Sequence, residues 1–140
     1  MALKIGTILK NAIVNQVILS LAGTTGVAGT AKVYLYTGTQ PTDADTAPTG
    51  TSATLLGTIS DISWALCTGG TSALTGVFTG SAGVAGTVGW ARFESIMDAG
   101  TFVMDGNVGT GATNVLVINS PSFTTAGAPV AILTGPLYIS

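Results

Sequence analysis

The spacing of apolar positions changes once along this chain, near Gly23. Before it, Ile5, Ile8, Leu9, Ala12 and Ile13 share one face at helical spacing, and Val14, Val17, Ile18 and Leu21 cover much of the opposite side. The pattern predicts a helix over 6–21, "GTILKNAIVNQVILSL", with Thr7 placed to cap its start. β-Branched residues make a strand over 12–19 the competing reading. A helix apolar nearly all round is buried on both sides. One face is therefore expected on the domain's own sheet. The other, carrying Val14, Val17, Ile18 and Leu21, is expected against a neighbouring subunit. Gly23 and Gly26 in "AGTTGVAGT" end the helix.

After the glycines the period becomes two. In "KVYLY" (32–36), Val33 and Leu35 take one face and Tyr34 and Tyr36 the other. "TGTQPTDADTAPTGTS" reads as a loop, because Pro41 and Pro48 lack donors and the Asp, Thr and Gly residues favour turns. Further strands are expected at "ATLLGTIS", "ISWALC", "VFTG", "VGWARFESI", "TFVMDG", "NVLVIN" and "PVAILTGPLYI". "MDAG" joins two of them as a hairpin. In "VGWARFESI", Trp90, Arg92 and Glu94 share one face, Ala91 and Phe93 the other. The expected class is mainly β: a β-sandwich or jelly-roll-like barrel of about eight short strands after one N-terminal α-helix. The organisation is a helix and Gly-rich connector over 1–30, then a β-domain over 31–140, as one structural unit.

Composition sharpens this picture. Of 140 residues, 46% are hydrophobic and only 7% charged, with a net charge of −2. About a quarter of an ordinary soluble domain is charged, so this surface is covered by Thr, Ser, Asn and Gly or hidden in an assembly. Little self-repulsion keeps copies apart. The four cations, Lys4, Lys10, Lys32 and Arg92, are scattered, which argues against nucleic-acid binding. Cys67 stands alone and reads as a small buried hydrophobe. The most apolar run, 12–22, is interrupted by Asn15, Gln16 and Ser20, so no membrane span is expected. Lys4, Lys10 and "SLAG" resemble parts of a signal peptide, but the polar pair inside the run argues for a retained N-terminus.

Candidate chemistry is sparse. Without histidine there is no Ser–His or Cys–His nucleophile and no imidazole ligand. Asp43 and Asp45 look like the start of a calcium loop, but Pro48 stands where its glycine belongs and no Glu closes it; bonding to nearby backbone is the expected role. "GNVGTGATN" lacks the spacing and Lys of a phosphate loop. Trp90, Arg92 and Glu94 read as an intrasheet charge pair stacked on an indole, or as an interface anchor. No enzyme activity, metal or other cofactor is expected.

"KVYLYTGTQPTDADTAPTGTSATLLGTIS" resembles a signature of small structural proteins of tailed bacteriophages, a strand ending in a Y-x-G-x-x-P turn, a polar loop and a "GT-LL-T" strand. Tyr36, Gly38 and Pro41 fill the turn; Leu55, Leu56 and Thr58 fill the strand. "GTVGWARFESIMDAGTFVMDGNVGTGATNVLVINSPSFTTAGAPVAI" is similar to the same family's second half. The N-terminal helix is more apolar than the pattern, and "TGPLYIS" is longer and more hydrophobic. The resemblance implies a virion protein, assembled in the host cytoplasm. Foremost is a capsid decoration (cement) protein that binds the outer shell, contacts the major capsid protein and associates with its own copies, a trimer being favoured. The contact elements would be the second helix face or the apolar segment 130–139 with Leu137 and Tyr138. A neck, tail or fibre protein is the nearest alternative. A carbohydrate- or receptor-binding β-sandwich, stacking sugars on Trp64, Trp90, Tyr34 or Tyr36, is another.

Overall fold

The computed structural model describes residues 4–22, 31–48, 53–75, 78–95, 103–134 and 136–138. Helix α1 spans Thr7–Ala22. Its first hydrogen bond runs from Lys10 N to Gly6 O at 3.1 Å. Gly6 therefore holds the capping position, and Thr7 lies one residue inside the helix rather than at its cap. Val14, Ile18 and Leu21, spaced four and three apart, form the face turned into the molecule.

Eleven strands follow among the described residues: β1 (Ala31–Tyr36), β2 (Leu55–Ile62), β3 (Thr71–Ser72), β4 (Phe78–Ser81), β5 (Gly86–Thr87), β6 (Trp90–Ser95), β7 (Val103–Gly109), β8 (Leu116–Ile118), β9 (Ser122–Phe123), β10 (Pro129–Thr134) and β11 (Leu137–Tyr138). Seven form one sheet in the order β2-β1-β6-β7-β8-β10-β4, and β11–β3 and β5–β9 are two-stranded ribbons. The sheet's two edges meet. Gly57 bridges Ala82, and Gly83 N donates to Leu56 O at 2.6 Å. A side chain on Gly57 would press on the Ser81 carbonyl, so glycine lets these edges approach. The sheet thereby nearly closes into a barrel, which covers much of the edge an open sheet would present. The architecture is mainly β, barrel-like, with one N-terminal helix.

Differences from the sequence expectation are local. "ISWALC" is not a strand. Trp64 makes a single bridge to Leu74, and the loop after it carries the short strand β3. The last expected strand is two, β10 in the barrel and β11 on the β3 ribbon. β6 and β7 pair antiparallel as the hairpin reading requires; its turn, 97–100, lies outside the described residues, as do Gly23 and Gly26. The β7–β8 pair is parallel, matching Val108 with Leu116 and Gly109 with Val117. Parallel neighbours normally need a crossover of a dozen residues. Here Asn107 and Asn114 pin the short return: Asn107 Nδ2 donates to Asn114 Oδ1 at 3.1 Å, and Asn107 Oδ1 accepts from Val115 N at 2.9 Å. Between Val33 and Ala31, β2 carries one extra residue, a bulge that sets Asp61 at φ 60°.

One buried cluster fills the barrel and extends under the helix. Val33, Leu35, Leu56, Ile59, Phe93, Leu116, Ile118 and Ile132 belong to it, together with Val14, Ile18 and Leu21 of α1. Trp64 and Phe93 meet in it with ring centroids 5.7 Å apart. Cys67 is buried there as expected of a lone small hydrophobe.

Candidate functional site

Strand β6 is buried on both faces, and its second face carries a dense cluster of polar and aromatic side chains. Alternation sends Ala91 and Phe93 into the barrel and Trp90, Arg92 and Glu94 outward. Antiparallel pairing with β1 then sets Tyr36 opposite Trp90, Tyr34 opposite Arg92 and Lys32 opposite Glu94. Pairing with β7 sets Asp105 directly opposite Arg92.

The contacts follow from that register. Arg92 Nε donates to Asp105 Oδ1 and Nη2 to Asp105 Oδ2, both at 2.7 Å, a two-pronged fit of guanidinium to carboxylate. Nη2 also donates to the carbonyl of Thr46 at 3.0 Å. Thr46 is fixed in turn by Asp43, whose Oδ1 accepts from Thr46 N and Thr46 Oγ1, both at 2.9 Å. Trp90 stacks on Tyr36 at 4.6 Å between centroids and donates Nε1 to Thr37 O at 3.1 Å. The Arg92 Cζ lies 5.7 Å from the Trp90 ring centre. Gly89 lets this layer close, because a side chain there would collide with the Gly38 carbonyl. Gly89 N donates to Tyr36 O at 2.8 Å. The 38–48 loop is thus stitched down onto the outside of the barrel.

Electrostatics match the packing. The hydrogen bonds that Arg92 donates to Asp105 hold the guanidinium charged, raising its pKa further. Burial pushes the Tyr36 hydroxyl up, partly countered by Arg92. Tyr34 is raised by burial and then by Glu94. Beside the pair lies a cleft of about 330 Å³ lined by Tyr36, Asp45, Pro48, Arg92, Glu94 and Val103. A second, more apolar groove of about 390 Å³ runs between α1 and the start of β7, past Ile13, Val17, Leu21, Asp45, Val103 and Met104.

Several sequence-predicted contact residues sit elsewhere than expected. Val14, Ile18 and Leu21 pack into this chain's own core, so the helix is turned about half a revolution from the expected orientation. Val17 is half-buried beside them. Trp90 is 1% exposed and Arg92 6%, so neither is a free anchor for a partner. Arg92 takes Asp105 as its carboxylate, not Glu94. The backbone of Leu137 and Tyr138 pairs with Ser72 and Thr71, and their side chains lie outside what is described. Trp64 is as buried as Trp90, which leaves only Tyr34 and Tyr36, both half-exposed, from the suggested sugar platform. Asp43 makes the local backbone bonds expected of it.

Two asparagines of the helix, Asn11 and Asn15, have a docking role. Asn11 Oδ1 accepts from Gly70 N at 2.6 Å and from Cys67 Sγ at 3.4 Å, and Asn15 Oδ1 accepts from Cys67 N at 2.9 Å. Their spacing of four, on the flank of the apolar face, was the available signal.

What α1 turns outward is apolar: Ile8 is 88% exposed, Leu9 54% and Leu19 43%. Among the described residues no helix is long and apolar enough to cross a membrane, and no group of three His, Cys, Asp or Glu could hold a metal ion. No protein-family model, curated protein or solved structure matches the chain.

Proposed function

We propose that this chain is a structural component of a tailed-phage virion, a decoration protein that binds the outer capsid shell in many copies and stabilises it. The observation that carries the reading is the pairing of a nearly closed, low-charge barrel with a helix that presents apolar side chains to its surroundings. Closure suits a unit meant to pack in large numbers, since open sheet edges would join copies at random. The apolar helix face suits a unit held by neighbours, and such exposed patches mark interaction sites. The family resemblance supplies the identity of those neighbours. Relative to the expectation from sequence, the contact face is the one bearing Ile8, Leu9 and Leu19. Each added domain buries area across joints between shell subunits and so raises the cost of rupture.

The test is the copy number of this chain in purified particles, by quantitative mass spectrometry against the major capsid protein. A ratio near one to one is expected. A ratio of a few per cent moves the protein to the neck or tail. Absence from particles overturns the virion reading.

A further inference from the structure

Strand β7 is paired unequally on its two sides. β6 pairs with it from Val103 to Asn107, whereas β8 pairs with it only at Val108 and Gly109. On the side away from β6, Val103, Met104 and Asp105 therefore have no strand partner among the described residues, and no turn or loop backbone bond reaches them. Val103 lies opposite Glu94, on the outer face of the sheet, and Met104 lies opposite Phe93, on the inner face. The apolar groove beside α1 is lined by both. A groove that touches both faces of one strand runs along its edge.

Charge at this edge is one-sided. The Arg92 guanidinium is matched by Asp105. Asp45 and Glu94 remain. Exposed Asp45 stands with Val103 on the wall shared by the apolar groove and the polar cleft, and half-buried Glu94 lines that cleft. Neither carboxylate makes a hydrogen bond or ion pair among the described residues. Lys32, opposite Glu94 on β1, leaves it unpaired.

We propose that the free edge of β7 takes an extended segment of a partner polypeptide in which a large apolar residue is followed by a lysine or arginine. The unpaired backbone selects an extended chain, which adds to a sheet edge through main-chain bonds; a helix has those bonds already made. Alternation along the added strand sets successive side chains on opposite faces. The apolar one enters the groove on the Met104 side, against Ile13 and Val17. The next falls on the Val103 side, toward Asp45 and Glu94, where a cation is matched and an acidic residue is repelled. In this chain Lys10, Lys32 and Arg92 lie within α1, β1 and β6, and Lys4 is three residues from the start of α1. A segment of this kind therefore comes from a different protein rather than from a second copy. The free stretch is short, so the contact is weak alone, and short edges limit random joining of copies. The inference goes beyond the proposed function and stands without it, because it is tested on purified protein.

The experiment is titration of the full chain, isotope-labelled, with the capped peptide acetyl-Thr-Val-Lys-Val-Thr-amide, read by amide chemical shifts. The signals of Val103, Met104 and Asp105 should shift saturably with a Kd of roughly 1 mM. Glutamate in place of the peptide's lysine should weaken binding at least about tenfold, since like charges then face each other. Asp45→Asn with Glu94→Gln should weaken binding of the lysine peptide about fivefold or more, while the melting temperature moves by no more than about 3 °C, as for surface changes. N-methylation of the peptide's lysine and both valines removes its central main-chain donors and should abolish the shifts. The absence of any shift at about 5 mM peptide overturns the proposal. So does equal binding of the lysine and glutamate peptides, undiminished binding of the N-methylated peptide, or undiminished binding by the double variant.

Discussion

Helix α1 and strand β6 are both apolar or bulky on two sides, and they differ in what covers the second side. The chain covers β6 itself. Its inner face meets the barrel core, and its outer face meets the 38–48 loop through Arg92, Trp90 and Tyr36. The chain covers only one side of α1 and leaves Ile8, Leu9 and Leu19 outward. The contrast lies in the chemistry of the second face. A loop can lie on β6 because that face offers donors for loop carbonyls, Arg92 to Thr46 and Trp90 to Thr37. The outer side of α1 offers one carboxamide, Gln16, among Ile8, Leu9, Ala12 and Leu19, too little to satisfy a loop's backbone groups, and buried backbone must be satisfied. Such a stripe suits another helix, whose backbone bonds are already made.

The largest test of this contrast sets two isoleucines of α1 against each other. Ile18 is 0% exposed and Ile8 88%. Ile18→Asp places an unpaired carboxylate in the core and should cost several kcal/mol, enough to prevent folding. Ile8→Asp should change stability by no more than about 0.5 kcal/mol. Urea denaturation of the two variants checks this, and similar midpoints would mean the helix is not turned as described.

Next in size is the ion pair on β6. Asp105→Ala leaves the Arg92 guanidinium buried without its carboxylate and should cost about 3–5 kcal/mol. Replacing both partners, Arg92→Met with Asp105→Leu, should recover most of that loss, since apolar substitutes of similar volume often match a buried pair. Full recovery of stability together with faster proteolysis in 38–48 would assign the pair to holding the loop. Trp90→Ala should cost about 3–5 kcal/mol, and Trp90→Phe about 1 kcal/mol for the lost bond to Thr37. A Trp90→Ala protein with an unchanged melting temperature would place the indole outside the packed layer.

How far these regions were legible follows from the same physics. The alternation in "KVYLY" and "VGWARFESI" placed Val33 and Leu35 opposite Tyr34 and Tyr36, and Ala91 and Phe93 opposite Trp90, Arg92 and Glu94, as the structure does, because a period of two leaves one choice once a core face exists. The Asp105 partner was within reach too. A hairpin centred on residues 97–100 pairs position 92 with 105, as observed. The helix faces were not legible: both are apolar, and spacing alone does not say which one the barrel takes. Asn11 and Asn15 decide it, by bonding Gly70 and Cys67 beside the buried side. Nor was the barrel's closure visible, since Gly57–Ala82 contact joins segments with no local signal between them. The family reading rests on short motifs of common residues, and the copy number in particles tests it.

The smallest effect separates the two surfaces by pH. Burial raises the hydroxyl pKa of Tyr36 and Tyr34 above the ordinary tyrosine value. The unfolded chain releases those protons near pH 10, while the folded chain holds them to higher pH. Their contribution to stability is therefore fully present below about pH 10 and is lost as pH rises through the folded values. Urea midpoints should be level with respect to these groups from pH 7 to 9 and fall above 10, and the fall should be shallower in Tyr34→Phe/Tyr36→Phe. An equal fall in that variant would assign alkaline loss to other groups. The outward residues Ile8, Leu9 and Leu19 of α1 carry no titratable group, so that side of the helix contributes nothing to the alkaline loss. The alkaline loss above pH 10 then belongs to the polar cover of β6 and not to the apolar side of α1.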